Sequence, residues 1–114
     1  MEETKKKAVA YLRVSTGMQV EGYSLDAQLA SIERCAKAYG YEIVKIYKDE
    51  GKSGKSIEGR EAFIRMFEDI ESGDLNIDYV MVFKLSRFGR NTADVLTSLQ
   101  RLQDNGVNLI CVED

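Results

Sequence analysis

The sequence predicts a three-layer α/β domain, with a mostly parallel four-stranded sheet and helices on both of its faces. Two observations predict this fold class. Short apolar runs rich in β-branched residues alternate in strict order with segments of helical periodicity, a pattern typical of parallel strands joined by crossover helices. The chain also has 114 residues, 44% hydrophobic and 31% charged, and this composition suits one domain with a single core.

Apolar runs predict four strands, at Ala8–Val14, Glu42–Tyr47, Tyr79–Phe83 and Val107–Val112. Helical periodicity predicts three helices between them, at Leu25–Tyr39, Arg60–Glu71 and Thr92–Asn105. Ser24 can cap the first helix, and a glycine follows the end of each helix. The second helix is expected to turn four apolar residues inward: Phe63, Ile64, Phe67 and Ile70.

The residue types that are missing exclude several kinds of chemistry. The chain contains no histidine, which removes a Ser-His-Asp mechanism and the commonest zinc ligand. Its GKSGKS segment is not a P-loop, because Ile46 and Asp49 stand where that motif requires glycine. Cys35 and Cys111 lack the spacing of metal ligands and are expected to be reduced, partly buried thiols. ATP hydrolysis and metal catalysis therefore have no motif to support them.

The charge balance argues against a stand-alone nucleic-acid binder, because the formal net charge is −3. Positive side chains are nevertheless clustered locally, which leaves an anion site open: Lys52, Lys55, Arg60, Lys84, Arg87 and Arg90. No apolar run approaches the ~20 residues of a membrane span. We therefore expect a cytoplasmic protein that does not contact a membrane.

The ends of the predicted strands carry the most suggestive residues. In a parallel α/β sheet, ligands bind beyond the carboxyl ends of the strands, where the strand order reverses. This rule brings residues 15–23, 49–59 and 84–91 to one edge. Alternation along the first strand turns Arg13 and Ser15 to the same face. A guanidinium at the end of a buried strand needs an anionic partner, either an internal carboxylate such as Asp49 or a phosphate from outside.

The serine and the arginines point to phosphate chemistry only when they are taken together. Arg87 and Arg90 would project to one side of a first helical turn, but two such arginines alone are usually solvated charges. Ser15 alone is usually a turn hydroxyl that satisfies the backbone. As a set, these residues favour phosphoryl transfer over acyl transfer, because arginines stabilise charge on phosphate oxygens while acyl transfer depends more heavily on a general base.

The chain resembles the catalytic domain of the serine recombinases in four motifs that occur in order: YLRVST, SLDAQ, DEGKSG followed by an arginine, and KLSRFGRN. That family includes DNA resolvases, invertases, large serine integrases and related transposases. The resemblance covers about residues 9–114 and implies the resolvase-like form of the predicted fold. The segment between Ser15 and Gln28 is similar to the longer version in large serine recombinases.

The resemblance implies a role for each matching residue. Ser15 would attack a DNA phosphodiester, forming a 5′-phosphoserine link and releasing a 3′-hydroxyl. Gln28, Asp49 and Ser53 would orient other groups or form hydrogen bonds in the active site. Four arginines would surround the scissile phosphate: Arg13, Arg60, Arg87 and Arg90. Because the covalent link conserves the energy of the broken strand, the resemblance implies no ATP, no metal and no other cofactor.

The chain departs from the family pattern at Ser86 and in its length. Resolvases and invertases usually have Asp at the position of Ser86, so a carboxylate that orients the arginines or handles a proton is missing or replaced. The family's long dimerisation helix and DNA-binding region would lie beyond Asp114. We therefore expect residues 1–114 to be a catalytic domain truncated before those parts, and inactive as an isolated fragment.

The expected function is site-specific recombination of double-stranded DNA, carried out by a homodimer and synaptic homotetramer of the full-length protein. Two other interpretations stay open. The chain could be a non-catalytic module of the same fold that binds a phosphate or nucleotide, an alternative that Ser86 keeps open. It could also be a structural or regulatory domain with ordinary surface charges. Only the enzyme interpretation explains why Ser15 and the arginines would converge.

Overall fold

Strands and helices alternate along the chain as the sequence predicts. A computed structural model of the chain describes residues 6–14, 25–50, 60–85, 88–89 and 91–113. The strands are β1 (Lys7–Val14), β2 (Glu42–Glu50), β3 (Tyr79–Val82) and β4 (Asn108–Cys111). The helices are α1 (Leu25–Tyr39), α2 (Glu61–Ser72) and α3 (Thr92–Asp104). The predicted α/β fold class is confirmed, and β2 continues three residues beyond its predicted end at Tyr47.

The four strands form one parallel sheet in the order β2-β1-β3-β4. The chain passes from β1 outward to β2 and then returns past β1 to form β3 on its other side. The strand order therefore reverses between β1 and β3. In a sheet of this kind, the crevice for a ligand lies outside the carboxyl ends of those two strands.

One face of the sheet is covered by α1 and has an apolar core. Its buried residues come from alternate positions of β1, from α1 and from β3: Ala8, Ala10, Leu12, Ile32, Ala36 and Met81. Small side chains on β1 allow the helix to approach the sheet closely. Tyr39, at the end of α1, is 68% exposed and lies outside this core.

The other face is covered by α2 and α3 and is rich in aromatic side chains. Tyr11 and Tyr47 from the sheet belong to one buried cluster with Phe63, Phe67 and Phe88. Phe63 lies at the centre of the aromatic group and makes edge contacts with three rings, those of Tyr11, Phe67 and Phe88. Alternation along β1 places Tyr11 on this face and Leu12 on the α1 face.

The inward face of α2 differs from the prediction at one residue. Phe63, Phe67 and Ile70 are buried as expected, but Ile64 is 50% exposed. Ala62 and Met66 are buried instead. On a helix of 3.6 residues per turn, the five buried residues form one continuous face, and Ile64 lies beyond the edge of that face.

A glycine ends α2, as predicted, and α3 is capped by an asparagine that the sequence did not single out. Gly73 ends α2 in a left-handed conformation with φ of 89°, which suits a residue without a Cβ atom. Asn91 caps α3, because its side-chain oxygen accepts a hydrogen bond from the backbone N–H of Asp94 at 2.8 Å. α3 therefore begins directly after the KLSRFGRN motif.

Cys35 and Cys111 are reduced thiols of intermediate burial, as predicted. Within the described residues, no group of three or more His, Cys, Asp or Glu side chains could hold a metal ion. None of the helices in the described part of the chain is both long enough and apolar enough to cross a membrane.

Candidate active site

The carboxyl ends of β1 and β2 bring three of the predicted site residues together. Arg13 and Asp49 are register partners near the ends of these two neighbouring strands. Gln28, the fourth residue of α1, is fully buried, and its Nε2 atom donates to the backbone oxygen of Arg13 at 3.3 Å. Gln28 therefore fixes the end of β1, the point from which the chain continues to Ser15.

Asp49 caps the amino end of α2. Its Oδ1 atom accepts from the backbone N–H of Ala62 at 2.9 Å, and its Oδ2 atom accepts from the backbone N–H of Phe63 at 3.1 Å. Two of the helix's otherwise unpaired N–H groups are satisfied in this way. The negative charge also interacts favourably with the helix dipole. The carboxylate thus ties the end of β2 to the start of α2.

The buried Tyr11 hydroxyl joins Asp49 to Arg60. It donates to Asp49 Oδ2 at 2.7 Å and accepts from Arg60 Nε at 3.3 Å. Burial raises the pKa of Tyr11 above its ordinary range, the Asp49 carboxylate adds to this rise, and the Arg60 charge opposes it. The hydroxyl therefore stays protonated and continues to donate to the carboxylate.

Arg60 directs its guanidinium into the protein at the start of α2. Besides Tyr11, its Nη1 atom donates to Asp94 Oδ2 at 2.9 Å, and its Nη2 atom donates to the backbone oxygen of Phe88. The guanidinium carbon lies 3.8 Å from the centre of the Phe63 ring, a cation–π contact. The Arg60 side chain is only 6% exposed. Arg60 thereby connects β1, α2 and α3.

Phe88 and Gly89 hold the turn before α3 against the protein. Phe88 is fully buried, and its ring packs edge-on against Phe63 with 5.5 Å between ring centres. A Cβ atom on Gly89 would lie 2.5 Å from Val95 Cγ2 and 3.2 Å from Asp94 Oδ2, so this turn approaches α3 more closely than a larger residue permits. The packing fixes the middle of the KLSRFGRN motif.

The structure therefore connects the four predicted site residues that it describes. Gln28 holds Arg13 by a hydrogen bond, Arg13 pairs in register with Asp49, and Asp49 reaches Arg60 through Tyr11. The other five predicted site residues lie outside the described residues: Ser15, Ser53, Ser86, Arg87 and Arg90. The predicted contact of the arginines with a phosphate stays a prediction.

Three residues of this network carry no functional prediction from the sequence: Tyr11, Phe88 and Asp94. Tyr11 had a usable signal, since a hydroxyl in a buried strand requires a polar partner, and it shares the face of Arg13. Phe88 had a weaker one, as an apolar residue within a charged motif. Asp94 had none, because its contact with Arg60 joins residues 34 positions apart.

These features define a class of protein, a doubly wound parallel α/β domain with a buried network of charged groups beside the carboxyl edge of its sheet. The family model described as the resolvase N-terminal domain matches residues 8–114. The chain belongs to that family.

Solved structures of similar chains agree with this assignment. A resolvase family site-specific recombinase from Streptococcus pneumoniae is 60% identical, with a TM-score of 0.84 over 95% of this chain and 72% of that chain. The N-terminal catalytic domain of TP901-1 integrase is 34% identical, with a TM-score of 0.77 over 94% of this chain and 77% of that chain.

Curated sequences show the same relationship. The transposon Tn552 DNA-invertase BinR of Staphylococcus aureus is 35% identical over 93% of this chain and 47% of its own length. The transposon Tn3 resolvase of Escherichia coli is 34% identical over 91% of this chain and 49% of its own length. The chain thus spans about half the length of these relatives.

Proposed function

We propose that residues 1–114 form the catalytic domain of a site-specific DNA recombinase that cuts and rejoins strands through Ser15. The observation that carries the proposal is the 60% identity with a resolvase family site-specific recombinase across 95% of the chain. Its partner in this proposal is double-stranded DNA at a recombination site. The full-length protein works as a homodimer that pairs into a synaptic homotetramer.

The proposed chemistry is a transesterification at a phosphodiester. The Ser15 hydroxyl oxygen attacks phosphorus, a bond between that oxygen and phosphorus forms, and the bond from phosphorus to the 3′ oxygen breaks. The proton lost by the serine is balanced by the proton gained by the departing 3′-hydroxyl. Rejoining reverses these steps with a new 3′-hydroxyl, so strand exchange consumes no ATP and uses no metal or other cofactor.

The arginines supply the electrostatic part of the proposal. Arg13, Arg87 and Arg90 stabilise negative charge that develops on the phosphate oxygens, the main requirement of phosphoryl transfer. Arg60 is the fourth arginine of the site, and its guanidinium holds the surrounding elements through Tyr11, Asp94 and the Phe88 backbone oxygen. Three hydrogen-bonding residues orient these groups: Gln28, Asp49 and Ser53. Ser86 supplies a hydroxyl where many relatives have a carboxylate, so it donates or accepts without adding negative charge near the phosphate.

The scaffold around the site supports this assignment of roles. Gln28 holds the end of β1 immediately before Ser15, and Phe88 anchors the motif that contains Arg87 and Arg90. A nucleophile and its charge-stabilising groups must be held in a fixed geometry for such a reaction to be fast. The described contacts would supply that rigidity from the core of the protein.

A covalent adduct on DNA tests the proposal. The full-length protein is incubated with a nicked suicide duplex that carries its recombination site, end-labelled on the strand retained by the protein, and run on a denaturing gel. We expect a protein–DNA adduct with the wild type and none with Ser15→Ala. Arg87→Gln and Arg90→Gln are expected to slow adduct formation by about 100-fold or more, because each removes a stabilising charge.

Ser72→Ala provides the matched control. Ser72 is an exposed serine at the end of α2, where its hydroxyl donates to the backbone oxygen of Asp69. This variant is expected to form the adduct at the wild-type rate. DNA binding by the wild type without any adduct would favour the non-catalytic binding module, and an adduct that persists in Ser15→Ala would overturn the choice of nucleophile.

A further inference from the structure

We propose that Asp94 is a positioning residue of this active site, which holds Arg60 in place and so fixes the turn through Phe88 and Gly89. Arg87 and Arg90 stand on either side of that turn in the sequence. The inference rests on the proposed function, since it assigns Asp94 a part in the rate of DNA cleavage. Asp94 itself makes no contact with the DNA in this proposal.

The first support is the geometry of the Arg60–Asp94 pair. Arg60 Nη1 and Asp94 Oδ2 are 2.9 Å apart, with the arginine side chain 6% exposed and the carboxylate 28% exposed. Ion pairs with one buried member are strongly orienting, because the buried charge has few alternative partners. The remaining Arg60 donors reach Tyr11 and the Phe88 carbonyl, so the orientation of one guanidinium sets the position of the turn.

The second support is the position of Asp94 on α3. It lies in the first turn of the helix, and its backbone N–H donates to the capping side chain of Asn91 at 2.8 Å. A carboxylate in a first turn is stabilised by the helix dipole. The backbone of Asp94 is therefore fixed, and its carboxylate can hold the Arg60 guanidinium in one position.

The third support is the space left by Gly89. A Cβ atom at that position would lie 3.2 Å from Asp94 Oδ2 and 2.5 Å from Val95 Cγ2. With glycine there, the turn lies close against the start of α3 beside the Asp94 carboxylate. Glycine at position 89 therefore allows the turn to lie beside the Asp94 carboxylate, as the proposed positioning role requires.

Removing the charge of Asp94 distinguishes a positioning role from a role in DNA binding, because the two roles predict different effects on affinity and rate. A carboxylate near a phosphodiester repels it, so neutralising Asp94 is expected to leave DNA affinity unchanged or to raise it. If Asp94 positions the arginines, the same change slows the chemical step, because small displacements of catalytic groups reduce rates steeply. Neutralising Asp94 should therefore slow DNA cleavage while the affinity for DNA stays the same or increases.

The test compares Asp94→Asn with the wild-type full-length protein on the nicked suicide duplex. We expect the adduct to form about 10- to 100-fold more slowly at saturating DNA, with a dissociation constant for the same duplex equal to or below that of the wild type. The melting temperature is measured alongside, so that the rate is compared between folded proteins.

Glu71→Gln is the matched control. Glu71 pairs with Arg101 between α2 and α3, with oxygen–nitrogen distances of 2.9 Å and 3.0 Å, and thus joins the same two helices by the same kind of contact. It lies outside the site network, so its removal is expected to leave the adduct rate unchanged. A rate loss in Glu71→Gln as large as in Asp94→Asn would overturn the inference in favour of a general packing effect.

The wild-type lane distinguishes failure of the two proposals. If the wild type forms no adduct, the proposed function fails and the inference fails with it. If the wild type forms the adduct and Asp94→Asn forms it equally fast, the inference alone is wrong. Should Asp94→Asn not fold, Gly89→Ala tests the same arrangement, and we expect it to slow the adduct by at least 10-fold. A folded Gly89→Ala with the wild-type rate would also overturn the inference.

Discussion

The two faces of the sheet differ in what holds them together. Under α1, the core cluster consists of small or aliphatic apolar residues, with Gln28 as a buried but uncharged polar residue near the start of the helix, and Ala8 and Ala10 let the helix pack closely on β1. Under α2 and α3, aromatic rings surround two buried charged residues, Asp49 and Arg60. We call the first the apolar face and the second, because of these two charged residues, the polar face, although its core is also largely hydrophobic. β1 contributes to both faces through alternate residues.

The two faces therefore differ in how strictly they fix the orientation of their buried groups. Apolar burial is non-directional, so an apolar core fixes how side chains fill space more than how individual groups are oriented. Hydrogen bonds to buried charges are directional, and losing one partner leaves another group unsatisfied. The polar face lies on the side of the sheet to which β1 turns Arg13. The part of the core that must be held in one geometry is therefore the part beside the candidate site.

The largest effect is expected from Asp49→Ala, which breaks the polar face. The change removes acceptors for Ala62 N–H, Phe63 N–H and the Tyr11 hydroxyl, all of them buried. We expect the free energy of unfolding to fall by about 4 kcal/mol, because hydrogen bonds to a charged group are strong and their loss strands buried donors. Urea unfolding monitored by circular dichroism measures the change, and a loss below about 1 kcal/mol would contradict the assigned role of the cap.

A smaller effect is expected from Ile32→Ala, which breaks the apolar face. Ile32 is fully buried between α1 and the sheet, and the change costs about 3 kcal/mol through lost burial and the cavity left behind. If the two faces are independent, the double variant with Asp49→Ala loses the sum of the two costs to within about 0.5 kcal/mol. A clearly smaller sum would mean that the faces share energy through β1.

The smallest effect is expected from breaking the contact between Tyr47 and Asp69, which lies at the rim of the polar face and resembles the contact between Tyr11 and Asp49. Tyr47 donates to Asp69 Oδ2 at 2.6 Å, and Lys45 contacts the same oxygen at 3.2 Å. The Tyr47 hydrogen bond, aided by Lys45, lowers the pKa of Asp69 below its ordinary range. The carboxylate therefore stabilises the fold above pH about 4, and this contribution is lost as the pH falls through the lowered pKa.

Asp69→Asn should remove that pH-dependent contribution. The variant is expected to lose less than about 1 kcal/mol at pH 7, with the gap to the wild type closing as the pH falls below about 4. Asp74→Asn, at an exposed carboxylate a few residues further along the chain, is the control and is expected to unfold like the wild type at pH 7. A gap that widens in acid would reverse the assigned sign.

Much of the fold follows from sequence periodicity, as α1 shows most clearly. Its predicted and observed bounds coincide at Leu25–Tyr39, because its apolar spacing is regular and Gly40 ends it. β2 was harder to bound. Its apolar pattern ends at Tyr47, yet residues 48–50 continue the strand because they pair with the last three residues of β1. Pairing with a distant strand leaves no trace in local hydrophobicity.

For the candidate site, the sequence predicted individual positions and not the contacts between them. Arg13 and Asp49 could be placed at one edge because the carboxyl ends of parallel strands meet there, whereas Arg60 was added by the family resemblance. The sequence could not show that Arg60 reaches Asp94 or that Tyr11 lies between Asp49 and Arg60. Those contacts depend on how α2 and α3 pack, which long-range geometry decides and residue spacing does not.

The position of β2 at one edge of the described sheet has a consequence for self-association. The strand is nine residues long, and Val44 and Ile46 are more than a third exposed, which are properties of a segment that recruits strands from other chains. Lys45 and Lys48 stand on the same strand. Charged side chains on an edge strand, lysines especially, disfavour pairing with strands of other chains, so the charges of β2 counteract the effect of its length and its exposed apolar residues.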